Sequence, residues 1–207
     1  VKQKLPIGKS DFRSIIEDGF YYIDKSSFVS EILDSSADVI LLPRPRRFGK
    51  TLNLSMLRYF FDKDEPSKEL FDNLNIAQNT QAMTHLNQYP VIYLTFKDIK
   101  EADFNKSYDK IKSLISDEFL RHKKIIDTLE LEEIEKSKID KILRKEALQV
   151  DYENSIKLLS KLLTLAYGQK CVVLIDEYDT PIQTGFIKGY YEEIVEFFKT
   201  FMGAVLK

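Results

Sequence analysis

A glycine, a lysine and a threonine in succession, Gly49-Lys50-Thr51, are the residues of this sequence whose types and order point most directly to chemistry. A glycine lets the backbone turn its N–H groups inward. A lysine brings a compact positive charge, and a hydroxyl can ligate a hard divalent cation. Together they meet the needs of a loop that holds the phosphates of a nucleotide. The pattern that combines them is G-x-x-x-x-G-K-[ST], and it falls here on Arg44 to Thr51, with Arg44 in place of the first glycine. That exchange confines position 44 to backbone conformations a side chain tolerates. On this reading Arg47, Phe48, Gly49, Lys50, Thr51 and Leu52 surround the phosphates, Lys50 neutralises the outer ones, and Thr51 ligates the metal. Arg44, Arg46 and Arg47 crowd the same region, where guanidinium forks suit phosphate oxygens. Salt bridges to neighbouring helices, or a solvent-facing basic rim, account for them equally well.

Further along, Val172-Val173-Leu174-Ile175 runs into two acids, Asp176 and Glu177. A carboxylate at a strand tip can hold magnesium through water, and a second one beside it can polarise an attacking water. Asp176 is assigned to the metal and Glu177 to the water; two acids that merely end a strand are the plain alternative. Asp179 is either a turn-former paired with Thr180 or a catalytic helper.

These groups need elements to carry them. Val39-Ile40-Leu41-Leu42 is a continuous apolar run suited to a strand buried on both faces, and the prolines at 43 and 45 with Gly49 end it in a loop. From Lys50 the spacing of Leu52, Leu54, Met56, Leu57, Phe60 and Phe61 predicts a helix to about Asp62. Strand, loop and helix in that order set an anion at a helix N-terminus. Before them, 11–18 reads as a short helix capped by Ser10 or Asp11 and ended by Gly19. A second helix, capped by Asp24 or Ser26, extends to Asp34. Beyond them, 67–88 is mixed with short helical patches, and 91–96 and 171–175 read as strands. Helices are expected over 104–122, 129–146, 152–167 and 190–206, with a bend at Thr180-Pro181. Alternating strands and helices indicate a parallel α/β sheet with helices on both faces, in one domain.

Composition narrows the setting. Thirty-one basic against 33 acidic side chains in 207 residues leave no global charge to draw the molecule to nucleic acid. The single cysteine, Cys171, excludes an intrachain disulfide and reads as a small apolar strand residue. His85 and His122 lie outside any zinc spacing and read as solvated polar residues. The charged stretch 130–146 reads as a solvated helical face, a partner-binding arm being the other reading. No apolar segment approaches the roughly 18 residues that span a bilayer, so a cytoplasmic protein is expected.

Four segments, Leu5-Pro6-Ile7-Gly8, Tyr21-Tyr22-Ile23-Asp24-Lys25-Ser26, Arg44-Pro45-Arg46-Arg47-Phe48-Gly49-Lys50-Thr51 and Leu174-Ile175-Asp176-Glu177-Tyr178-Asp179-Thr180-Pro181, together resemble the AAA-ATPase-like family of bacterial proteins. The resemblance covers nearly the whole chain, and Arg44 belongs to that family's own form of the loop. It implies a P-loop three-layer α/β/α fold with a mainly parallel sheet, ATP and magnesium as ligands, and adenine contact near Tyr22, for which plain packing is the alternative. It also implies that 1–207 is the N-terminal part of the ATPase domain. A further sensor strand would follow, then a nuclease-like domain of the PD-(D/E)XK type, through which nucleic acid could be a partner. Without that strand, sheet edges would be exposed or paired with another copy of the chain. Two functions stay open. One is an ATPase using Lys50, Thr51, Asp176 and Glu177. The other is a nucleotide-gated binding module with little or no turnover. A purely structural α/β interaction domain is a third, weaker reading.

Overall fold

The computed structural model of the chain describes residues 3–43 and 48–206. They form two compact units, Val1–Val91 and Ile92–Lys207. The whole is a mixed α/β structure whose sheet is small, two parallel strands flanked in sequence by many helices.

In the first unit α1 (Phe12–Glu17) starts where expected. Asp11 is its cap, with Oδ1 accepting from the Ser14 N–H at 2.8 Å. Residues 20–25 carry no regular structure, and α2 (Ser27–Asp34) follows with Ser26 at its N-cap position. The expected strand at 39–42 is absent. Val39, Ile40 and Leu41 are 52%, 40% and 67% exposed, because no other strand of the described residues pairs with them, and a strand without a ladder leaves its backbone to water.

The helix that follows the loop, α3 (Lys50–Phe61), forms as its periodicity predicts and is the most deeply buried element of this unit. Two sets of contacts fix it. At its middle the Ser55 hydroxyl accepts from the Phe12 N–H at 2.9 Å, and the Ser55 and Tyr59 hydroxyls donate to Asp11 Oδ2 at 3.2 and 3.0 Å. At its end Asn87, with φ +55°, donates to the carbonyls of Tyr59, Asp62 and Glu65. Short helices α4 (Lys68–Phe71) and α5 (Thr80–Met83) flank a 3₁₀ turn, Asn75–Gln78. Phe12, Phe60 and Phe71 form the aromatic centre, with Phe71 5.1 Å from Phe12 and 5.2 Å from Phe60 between ring centroids.

The second unit begins within β1 (Val91–Thr95) and contains α6 (Phe104–Arg121), α7 (Lys123–Ile126), α8 (Glu133–Leu143), α9 (Gln149–Glu153), α10 (Ser155–Tyr167), β2 (Val172–Asp176), α11 (Asp179–Lys188) and α12 (Tyr191–Val205). α10 ends at Gly168 in the left-handed conformation, φ +66°, which glycine adopts without strain. The Phe96 N–H donates to the Asp176 carbonyl at 3.0 Å, fixing the register of the two strands. Phe96, Phe197, Phe198 and Phe201 fill the core between β1 and α12. The charged stretch is α8, whose Ile139 and Ile142 are buried.

Two expectations fail here. Thr180 and Pro181 do not bend the chain but lie in the first turn of α11, where the missing proline N–H has no helical partner to lose. His122 is not solvated: it is 1% exposed, beside Glu118. His85 is half-buried and stacks on Tyr89.

Glu118 has a structural task. Strand alternation turns the Tyr93 N–H away from β2, and Glu118 Oε1 accepts it at 2.9 Å. Burial alone would raise this carboxyl's pKa. Hydrogen bonds from His122 and Arg121, and the Tyr93 N–H, outweigh it and take the group from 4.5 down to about 2. The folded-state value is depressed, so the charge contributes stability that is complete above about 4.5 and is lost as pH falls towards 2. Glu118→Ala should therefore destabilise the protein by about 3 kcal/mol at pH 7, read from denaturant unfolding. The stability gap between wild type and Glu118→Gln should hold from pH 7 to 5 and close in the acid window. A gap that does not depend on pH would refute the assignment.

Candidate functional site

The phosphate-loop pattern lies in the first unit. Of its eight positions, Arg44 to Arg47 fall outside the described residues, so the arginine cluster and the expected phosphate contact of Arg47 do too. The remaining four are in place. Phe48 is 58% exposed. Gly49 has φ +73° and ψ +23°, a left-handed conformation that would strain any other residue here, and it occupies the N-cap position of α3. Lys50 and Thr51 are the first two helical residues, half-buried like Leu52, and the Asn53 N–H closes the first helical bond on the Gly49 carbonyl at 2.9 Å. The N-cap residue of this helix, Gly49, supplies no side-chain cap. An uncapped N-terminus directs its first-turn N–H groups and its positive dipole end to whatever lies in the loop. Lys50 forms no ion pair among the described residues.

Tyr22, expected near a base, packs against the same helix. Its hydroxyl donates to Met56 Sδ at 3.3 Å, its ring meets Phe12 edge-on at 5.4 Å, and burial pushes its phenol up to about 12. The residues after it are pinned. Asp24 Oδ1 accepts from the Ser26 N–H and Oδ2 from the Asn75 N–H, at 2.8 and 2.7 Å, and the buried Ser26 hydroxyl accepts from the Ile76 N–H at 3.1 Å. Burial opposes ionisation of Asp24, but these bonds win and hold its pKa below 3.8. Both cap candidates thus serve the 3₁₀ turn rather than α2. Lys25, between them, sends its ammonium to the loop: Nζ lies 4.0 Å from where a Gly49 Cβ would stand. Sequence reasoning missed this lysine as a loop neighbour. Its signal was a cation enclosed by two anchoring residues.

Asp176 and Glu177 lie in the second unit, at the C-terminal end of β2. Asp176 is the last strand residue and 2% exposed. Glu177 is half-buried with φ +50°, a backbone conformation that costs a side-chain residue about 1–2 kcal/mol. Thr180 compensates, its hydroxyl 3.3 Å from Glu177 Oε2 and its N–H 3.0 Å from the Glu177 carbonyl. The expected Asp179–Thr180 pairing is replaced by this one, and Asp179 instead accepts from Gln183 at 2.8 Å, one turn along α11. Held strain at a strand end beside a buried acid is the pattern of a functional turn.

The donor chemistry suits magnesium. Taken each in its own unit, the Thr51 hydroxyl and the buried Asp176 carboxylate are hard oxygen donors of the kind this ion accepts, and it takes few protein ligands, keeping waters and phosphate oxygens for the rest. The described residues contain no group of three or more His, Cys, Asp or Glu arranged to hold a metal. No helix among them is long and apolar enough to cross a membrane.

Comparison with known proteins places these features. A curated protein from Azotobacter chroococcum mcd 1, described as "Uncharacterized protein in vnfD 5'region", is 29% identical over 187 residues, 87% of this chain and 30% of its own length. The chain thus spans less than a third of that relative. No solved structure matches. The family model for AAA-ATPase-like proteins, described as predicted AAA-ATPase, matches residues 6–207. Since that match includes the loop, the lysine-bearing segment at 22–26 and the Asp176-Glu177 turn, this chain belongs to the AAA-ATPase-like family.

Proposed function

We propose that the chain binds ATP with magnesium at the Gly49-Lys50-Thr51 loop and forms part of an ATP-hydrolysing domain. One observation carries the reading: a left-handed glycine opens an uncapped twelve-residue helix whose first two residues are a lysine without an ion-pair partner among the described residues and a threonine. Family membership supports the same ligand.

In this reading Lys50 neutralises the outer phosphates, the first-turn N–H groups of α3 receive phosphate oxygens, and Phe48 and Leu52 flank them. Arg47 adds a guanidinium to the same phosphates, and Tyr22 shapes the base side of the pocket. Thr51 and Asp176 would hold magnesium, which supplies charge neutralisation across the phosphates when bound. Glu177 orients the attacking water and accepts its proton, with Thr180 steering the carboxylate. We assign the chain to the N-terminal part of a P-loop domain of three-layer α/β/α type in a cytoplasmic protein. The sensor strand and nuclease-like domain, the latter a route to nucleic acid, would belong to the longer protein. The extra length of the Azotobacter relative is compatible with this.

Magnesium-ATP at a hundredfold excess over its dissociation constant should stabilise the chain by about 2.7 kcal/mol, a rise of several degrees in melting temperature. Lys50→Ala should abolish that shift while leaving the ligand-free melting temperature within about a degree; an unchanged shift would sink the proposal. Catalysis is tested separately. Glu177→Gln should bind ATP within about twofold of wild type and release phosphate at least a hundredfold more slowly. A wild-type chain that binds ATP but releases no phosphate would instead be a nucleotide-gated binding module.

A further inference from the structure

We propose that Lys25 is a second phosphate-binding cation of the loop, acting opposite the main chain of Gly49, and that it makes the site selective for polyphosphates. The inference rests on the reading of the loop as a nucleotide site.

Its first support is position. Lys25 Nζ stands 4.0 Å from the point a Cβ on Gly49 would occupy, the nearest atom to that point among the described residues outside the turn and its helix. A side chain at 49 would therefore grow towards the ammonium, which the glycine leaves uncovered on that side. A second support is charge. Neither Lys25 nor Lys50 has an ion-pair partner among the described residues, although acidic side chains outnumber basic ones in the chain, 33 to 31. Two lysines without an ion-pair partner among the described residues, one next to Gly49 in sequence and one beside it in space, leave positive charge at this turn for an anion to neutralise.

The third support is preorganisation. Lys25 is exposed, but the backbone that carries it is fixed on both sides. Asp24 receives the Asn75 N–H at 2.7 Å, Ser26 is fully buried and receives the Ile76 N–H at 3.1 Å, and the Lys25 carbonyl accepts from Phe28 at 3.0 Å. Tyr22 ties the same segment to α3 through Met56. The lysine stem is the free part of a rigid segment, so its ammonium reaches the loop at little entropic cost.

Titration of the 207-residue chain with magnesium-ATP and with inorganic tripolyphosphate tests the assignment, since the second ligand has phosphates and no base. Lys25→Ala should weaken both about tenfold, with the ligand-free melting temperature unchanged, and Lys25→Arg should stay within about threefold of wild type. Lys25→Gln, closer in length, should behave as Lys25→Ala does and serves in its place if the alanine variant folds poorly. If wild type binds ATP and these variants bind both ligands within twofold of it, Lys25 is no phosphate ligand and the nucleotide reading survives. Loss of ATP affinity alone, with tripolyphosphate unaffected, would place Lys25 on the base or sugar and overturn the proposal. Binding of neither ligand by wild type would remove the nucleotide site itself, and the proposal with it.

Discussion

A main-chain N–H withdrawn from water must find an acceptor, and where no helix or strand supplies one, an orphaned donor costs about 1–3 kcal/mol. Both units meet this constraint with side chains at a few positions. Asp11 takes the Ser14 N–H and two hydroxyls of α3, while Ser55 of α3 takes the Phe12 N–H, so α1 and the loop helix cannot move independently. Asp24 and Ser26 take the N–H groups that open the 3₁₀ turn, and Asn87 donates to three carbonyls at the end of α3. In the second unit Glu118 takes the Tyr93 N–H. Each is a polar group inside an otherwise apolar packing. Each therefore sets a position more sharply than hydrophobic contact could, since a hydrogen bond fails within a few tenths of an ångström.

Elements decided by their own periodicity were legible in the sequence. α3, α6, α10 and α12 each carry apolar residues at helical spacing, and the structure forms them close to the expected limits, α10 starting three residues late because 149–153 form the separate α9. The two strands with a mutual partner, β1 and β2, were legible as well. What could not be read depends on relations between distant residues. Pro181 reads as a breaker until its place in the first turn of α11 is known. His122 reads as a surface residue until Glu118 and Arg121 are found around it. Lys25 reads as one more solvated lysine until Gly49 is beside it.

Two turns, one in each unit, use opposite solutions to the same geometric demand. Each needs a positive φ where an element begins or ends. At Gly49 the residue type allows it, and so the turn is visible in the sequence. At Glu177 the carboxylate is retained and the backbone is strained, with Thr180 holding the turn through two contacts. A glycine there would relieve the backbone and remove the acid. Keeping glutamate at such a position is intelligible if the carboxylate has work at that point that a relaxed turn could not do. The residue type of Glu177 gives no hint of this; only its backbone does.

The absent strand at 39–42 shows where sequence composition stops being informative. Apolar and β-branched residues state a capacity for a strand, but its backbone groups need a neighbour, and without one the run lies exposed. The existing sheet treats its two edges unequally. On the outer side of β1 a buried carboxylate already occupies the Tyr93 donor, so another strand there would have to displace Glu118 from Arg121 and His122. On the far side of β2, alternation turns the main-chain groups of Val173 and Ile175 outward, and both residues are half-buried. Adding a strand beside β1 displaces a charge, and no carboxylate is seen on the outward groups of β2 among the described residues. A buried ion cluster therefore does for β1 what lysines and prolines do on exposed edges of other sheets, and it leaves the direction of any growth of this sheet fixed.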